Sequence, residues 1–166
     1  GSRQKRLLDD VAQLGYGVSN RLAWSPDGRW LSVTRKGGLW LVSRDGAVVK
    51  ELVSYAPQKG SAYLFAWSPN GKQIAFTQQF GYYPADYLGL GIIEVETKKV
   101  VVVTKENPNA GWAWLLTWAP DGQRVGLLWG AQGKMFTLSD KTTSVKIPNC
   151  AGEIRELVWS PDSNWL

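Results

Sequence analysis

One phrase recurs four times along the chain: "LAWSPDGRWL" at 22–31, "FAWSPNGKQI" at 65–74, "LTWAPDGQRV" at 116–125 and "LVWSPDSNWL" at 157–166. Its marker tryptophans, Trp24, Trp67, Trp118 and Trp159, stand 43, 51 and 41 residues apart. A period of roughly 40–50 residues belongs either to four-stranded propeller blades or to helical repeats, and the residues between the markers decide which. In the first unit the turn Ser25-Pro26-Asp27-Gly28 carries type I preferences, with proline presetting φ and glycine tolerating the exit. "WLSVTRK", a Gly37-Gly38 break, "LWLVSRDG" and "AVVKELV" follow, which makes four short β-like runs with no helical periodicity.

The second unit reads "YLFAWS", "QIAFTQQ", "LGLGIIEVE" and "KKVVVVTK", lengthened by one insertion, "FGYYPAD", between its second and third strands. The third reads "WLLTWA", "RVGLLWG", "KMFTLSD" and "TSVKIP". The expected organisation is therefore one all-β domain over 1–166, built of antiparallel four-stranded blades at 21–53, 63–104 and 113–148. A further, incomplete blade begins at 154–166, and residues 5–10 align as the outer strand of a preceding blade. In such an architecture the first strand of each blade lines the axis, the marker tryptophan packs against the next blade, and Asp27, Asn70, Asp121 and Asp162 are turn-formers rather than acids or metal ligands.

"WSPDGRWLSV", "WSPNGKQIAF", "WAPDGQRVGL" and "WSPDSNWL" resemble the repeat of TolB-like propellers, which also builds the propeller domain of the prolyl oligopeptidase family. The resemblance implies a β-propeller with a central channel, and a role in protein association or in guarding a neighbouring active site. It tilts the compartment, otherwise unknown, toward the periplasm or the cell exterior. WD-repeat proteins are a weaker match, because the "GH…WD" signature is missing and the chain has no histidine. At this period 166 residues hold about three and a half to four blades, fewer than TolB-like rings use. Three outcomes are open: part of a longer propeller, a half-propeller closed by a second copy with 5–10 completing the partner's broken blade, or a small ring closed alone. The first two are favoured, because an open stack leaves an apolar blade face to be covered.

The loops expected at one end of the blades collect aromatic side chains: Tyr16, Tyr55, Phe80, Tyr82, Tyr83, Tyr87 and Trp112, with Asp86 among them. Tyrosine and tryptophan combine a large apolar area with a polar handle, so this face is the candidate binding surface for a protein or peptide. Nothing points to catalysis. Without histidine there is no Ser-His-Asp triad and no Cys-His pair, and "TRKGGLW" is no phosphate loop. Asp9/Asp10 and Glu94/Glu96 are the available carboxylate pairs, the latter expected on one strand face and in water. The lone Cys150 excludes an internal disulfide and a cysteine-based zinc site, and neither a metal nor any other cofactor is expected.

The net charge of +5 comes from 19 scattered basic residues, which form no basic arm, so nucleic acid is not an expected partner. No run approaches the roughly 20 apolar residues of a membrane span. The reading is a non-enzymatic propeller module that binds protein, self-associating as a homo-oligomer (a dimer) through its open blade edges. The alternative is a propeller fragment of a prolyl-oligopeptidase-type serine peptidase that gates substrate access.

Overall fold

The computed structural model describes residues 22–35, 37–54, 61–80, 87–106, 113–129, 132–139 and 156–166. Eleven strands appear among them, in three antiparallel meanders. The first blade comprises β1 (Leu22–Trp24), β2 (Trp30–Arg35), β3 (Gly38–Ser43) and β4 (Val49–Val53), paired in chain order. The second comprises β5 (Ser61–Trp67), β6 (Gln73–Phe80), β7 (Tyr87–Glu94) and β8 (Val100–Glu106). In the third, β9 (Ala113–Trp118), β10 (Arg124–Trp129) and β11 (Gln132–Thr137) are described. The expected fourth strand, at "TSVKIP", lies outside the described residues, as does the expected strand at 5–10. The fourth unit shows its turn, closed by Ser160 N–H donating to the Trp165 carbonyl, but no strand among 156–166.

Strand alternation sends successive side chains of blade two to opposite neighbours. Phe65, Trp67, Ile74, Phe76 and Ile93 join Leu39, Leu41 and Leu52 of blade one in one core cluster. Leu64, Ala75, Leu90 and Ile92 join Leu116, Trp118, Val125, Leu127 and Phe136 of blade three in the other. Blade two is thus apolar on both faces, and the core is the pair of layers on either side of it. Gly91 has a packing reason: a Cβ there would stand 2.7 Å from the Phe76 ring. A bulge between Ala62 and Phe65 interrupts the β5–β6 register, and the Thr77 hydroxyl accepts the displaced Leu64 N–H at 3.1 Å.

The turns between first and second strands lie beside those between third and fourth. Arg44 N–H donates to the Arg29 carbonyl, Val95 to Lys72 and Leu138 to Gln123, so both kinds of turn share one end of the blades, as expected.

Candidate functional site

Of the aromatic loop residues, Tyr16, Tyr55, Tyr82, Tyr83 and Trp112, with Asp86, lie outside the described residues. Phe80 and Tyr87 are described in backbone only: they face each other as the last pair of the β6–β7 ladder, flanking the insertion. Cys150 and the Asp9/Asp10 pair are likewise outside. Glu94 and Glu96 do not share a strand face. Glu94 ends β7 and accepts the Thr97 hydroxyl at 2.6 Å, whereas Glu96 sits in the β7–β8 turn, because the chain leaves the strand one residue earlier than the sequence pattern suggests.

Each Ser-x-Asp/Asn turn is a small closed network. Ser25 Oγ donates to Asp27 Oδ1 at 2.6 Å and accepts Trp30 N–H at 2.9 Å, while Asp27 Oδ1 also accepts Arg29 N–H at 3.0 Å. Ser68/Asn70 and Ser160/Asp162 repeat this geometry. So does Ser43/Asp45 in the β3–β4 turn, a second use of the box that the sequence carries openly as "SRDG". The acceptor load on Asp27, led by the Ser25 hydroxyl and the Arg29 N–H, holds its pKa at about 2. Asp162 is lowered for the same reason, by Ser160 first and Asn164 next. These carboxylates are anionic parts of turns and fill the turn-forming role expected of them.

The third box departs from the pattern. Ala119 supplies no hydroxyl, and Asp121 turns its carboxylate to Arg124 at 2.8 Å and to Gln123 N–H. Burial pushes the Asp121 carboxyl upward, but the Arg124 hydrogen bond and charge outweigh it and the net shift is downward. Asp121 N–H meanwhile donates at 2.9 Å to Ser163 Oγ of the fourth unit. Ser163 is buried and left-handed at φ +61°, where the other boxes place Gly28, Gly71 and Gly122. A side chain at the strained position thus ties two adjacent turns together.

The marker tryptophans make the joints between blades. Trp67 Nε1–H reaches blade one, donating to Ser32 Oγ at 2.9 Å with Ala23 O at 3.3 Å. Trp118 Nε1–H donates to Ala66 O of blade two at 2.8 Å. Both indoles therefore seat on the blade before them, which corrects the expectation that the marker tryptophan packs against the next blade. The residue ahead of the preceding marker supplies the carbonyl.

Positions on the other side of the joint repeat as well. Ala23 and Trp30 of blade one pack against the first core cluster, Ala66 of blade two packs against the second, and Arg124 of blade three lies 5.5 Å from the centre of the Trp159 ring.

The positions that make this joint differ in exposure along the chain. Trp67, Trp118 and Trp159 are 7–9% exposed, whereas Trp24 is 50% and its neighbour Leu22 59% exposed. On that same face Val33 and Val42 are covered, so the open area lies along the β1 margin. At the other end, Val158 and Trp165, the counterparts of Ala23 and Trp30, are 65% and 75% exposed. The sequence reading treated every marker tryptophan as scaffold.

Three solved structures are similar in fold. A protein of Agrobacterium tumefaciens taken to be TolB is 16% identical, with a TM-score of 0.62 over 86% of this chain and 50% of that one. An oligogalacturonate lyase in complex with manganese is 15% identical, with a TM-score of 0.61 over 75% of this chain and 35% of that one. The β-propeller domain of the Trilobed protease from Pyrococcus furiosus, which has an open velcro topology, is 12% identical, with a TM-score of 0.52 over 80% of this chain and 45% of that one. No family model matches the sequence, and no curated protein matches it. These likenesses show the β-propeller fold, and the chain spans about a third to a half of the length of these structures. Among the described residues no helix is long and apolar enough to cross a membrane.

Proposed function

We propose that the chain is a non-catalytic propeller module that binds protein surfaces, copies of itself included, with the β1 margin of its first blade as the contact. The observation that carries this reading is the exposure of Trp24 and Leu22 at positions whose counterparts in the following blades are buried against a neighbour. Interface cores are enriched in tryptophan, and an indole with a free edge brings both apolar area and a donor. Nucleic acid is not a partner in this reading, since the 19 basic residues are dispersed along the sequence. The test is solution mass by light scattering across a dilution series. Association above 18.4 kDa supports the reading, and a monomer of 18.4 kDa at every concentration sinks it.

A second reading, the propeller domain of a prolyl-oligopeptidase-type peptidase, draws on the likeness to the Trilobed protease propeller. Its mark would be a hydrolase domain joined to this one in the same polypeptide.

A further inference from the structure

Of the six asparagines in the sequence, Asn70 is the one followed by glycine. It stands at the box position that the other three marker turns fill with Asp27, Asp121 and Asp162. We propose that Asn70-Gly71 is a deamidation site, that its turn slows the reaction in the folded chain, and that the aspartate product keeps the turn. This goes beyond the binding reading above and does not depend on it.

The chemistry needs no partner but water. The Gly71 backbone nitrogen loses its proton to solvent and bonds to Asn70 Cγ, and the side-chain nitrogen leaves as ammonia. Water then adds to Cγ of the five-membered imide and breaks the new N–C bond, which restores the Gly71 amide and leaves a carboxylate. Nothing is oxidised or reduced. Opening at the other imide carbonyl gives isoaspartate, which lengthens the backbone by a methylene and breaks the turn. Glycine favours the attack because no Cβ screens its nitrogen, and Asn70 is exposed to the water it requires.

The turn opposes the first step. Gly71 N–H donates to the Ser68 carbonyl at 2.9 Å, so attack must first release that bond. Asn70 Oδ1 accepts the Ser68 hydroxyl at 2.8 Å and Lys72 N–H at 3.0 Å, which pins the side chain while attack needs Cγ carried onto the nitrogen. The same donors suit the product. Ser25 and Arg29 N–H serve Asp27 in this way, and Ser160 and Asn164 N–H serve Asp162. A carboxylate accepts such bonds more strongly than an amide. Conversion therefore lowers the formal net charge of +5 by one and leaves the turn's bonds in place.

The tryptic peptide 60–72 holds no other asparagine and no glutamine, so its conversion to the acid form, read by mass, reports Asn70 alone. The full chain is incubated at mildly alkaline pH, folded and in denaturing urea. Conversion is expected in urea, and about tenfold more slowly in the folded chain, where the turn's hydrogen bonds must be released first. Ser68→Ala is expected to bring the folded rate toward the unfolded one. The third unit shows that the turn tolerates alanine there, since Ala119 still accepts Gly122 N–H at 2.9 Å. No conversion in urea overturns the site. Equal rates in the folded and unfolded parent, or a Ser68→Ala rate equal to that of the folded parent, overturn the hold by the box. Asn70→Asp makes the product directly. Its urea midpoint is expected to be no lower than the parent's, with the new carboxyl titrating below the ordinary value as Asp27 does. A lowered midpoint overturns the claim that the turn keeps its product.

Discussion

At the scale of single residues the chain is governed by its turn boxes. The Asp27 carboxylate accepts from Ser25 Oγ and from Arg29, and these bonds hold its pKa at about 2, below the ordinary value of 3.8. The sign follows: a depressed folded pKa means that the anionic turn contributes its full stability above about pH 4 and loses it as pH falls toward about 2. Ser25→Ala removes the largest cause, so the Asp27 carboxyl is expected to titrate closer to 3.8, read by carbon-detected NMR of the side chain. An unchanged midpoint would assign the shift to Arg29 instead. Gly28 gives a backbone-only probe, since its φ is +67° and nothing lies within 4 Å of an added Cβ. Gly28→Ala is therefore expected to cost about 1 kcal/mol in urea denaturation, from left-handed strain alone. Most of this was legible in "SPDG", because a turn of four residues is written in those four residues. The Ser163–Asp121 tie was not, since it depends on two units being brought side by side.

At the scale of elements, period-2 alternation and turn signals located the strands of the first two blades closely, and the end at which the Ser-x-Asp turns gather was also legible. The direction of the indole contacts is the reverse of the one expected from the repeat. Sequence period shows that a tryptophan points out of its sheet but not which neighbour it meets. The joints now make a sharp comparison. Trp118 Nε1–H has Ala66 O as its acceptor, whereas Trp159 Nε1, equally buried, has no hydrogen-bond partner. Removing one member of a buried pair strands the other, while removing an unpaired buried donor relieves its desolvation. Trp118→Phe is therefore expected to lose about 1–3 kcal/mol, and Trp159→Phe to be neutral or slightly stabilising in the same urea titration. Equal losses in the two variants would show that indole size, rather than the N–H, makes the joint. Gly91→Ala tests the blade interior, where the new methyl would press on the fully buried Phe76 ring. The expected cost is about 1–3 kcal/mol, larger than at Gly28 because the obstacle is a packed ring with no room to yield.

At the scale of the whole molecule, each described blade is stabilised by the one beside it through a shared core cluster. A residue's own sequence cannot show whether its partner is present, which is why Trp24 read as scaffold like its three counterparts although it is half exposed. If copies associate through the exposed Trp24 and Leu22 of the β1 margin, folding and association are linked, because a partner that binds only the native chain stabilises it by mass action. The thermal midpoint of the parent is then expected to rise with protein concentration. Trp24→Lys removes the first face without touching either core cluster, so its midpoint is expected to be independent of concentration and to equal that of the parent at high dilution. Trp67→Lys, at the equivalent position inside the stack, is expected to lower the midpoint at every concentration, because there the lysine would enter a buried joint. Differential scanning calorimetry over a hundredfold concentration range distinguishes these behaviours. A parent midpoint that stays fixed across that range would mean the open faces contribute nothing between copies, whatever their likeness to the joints within.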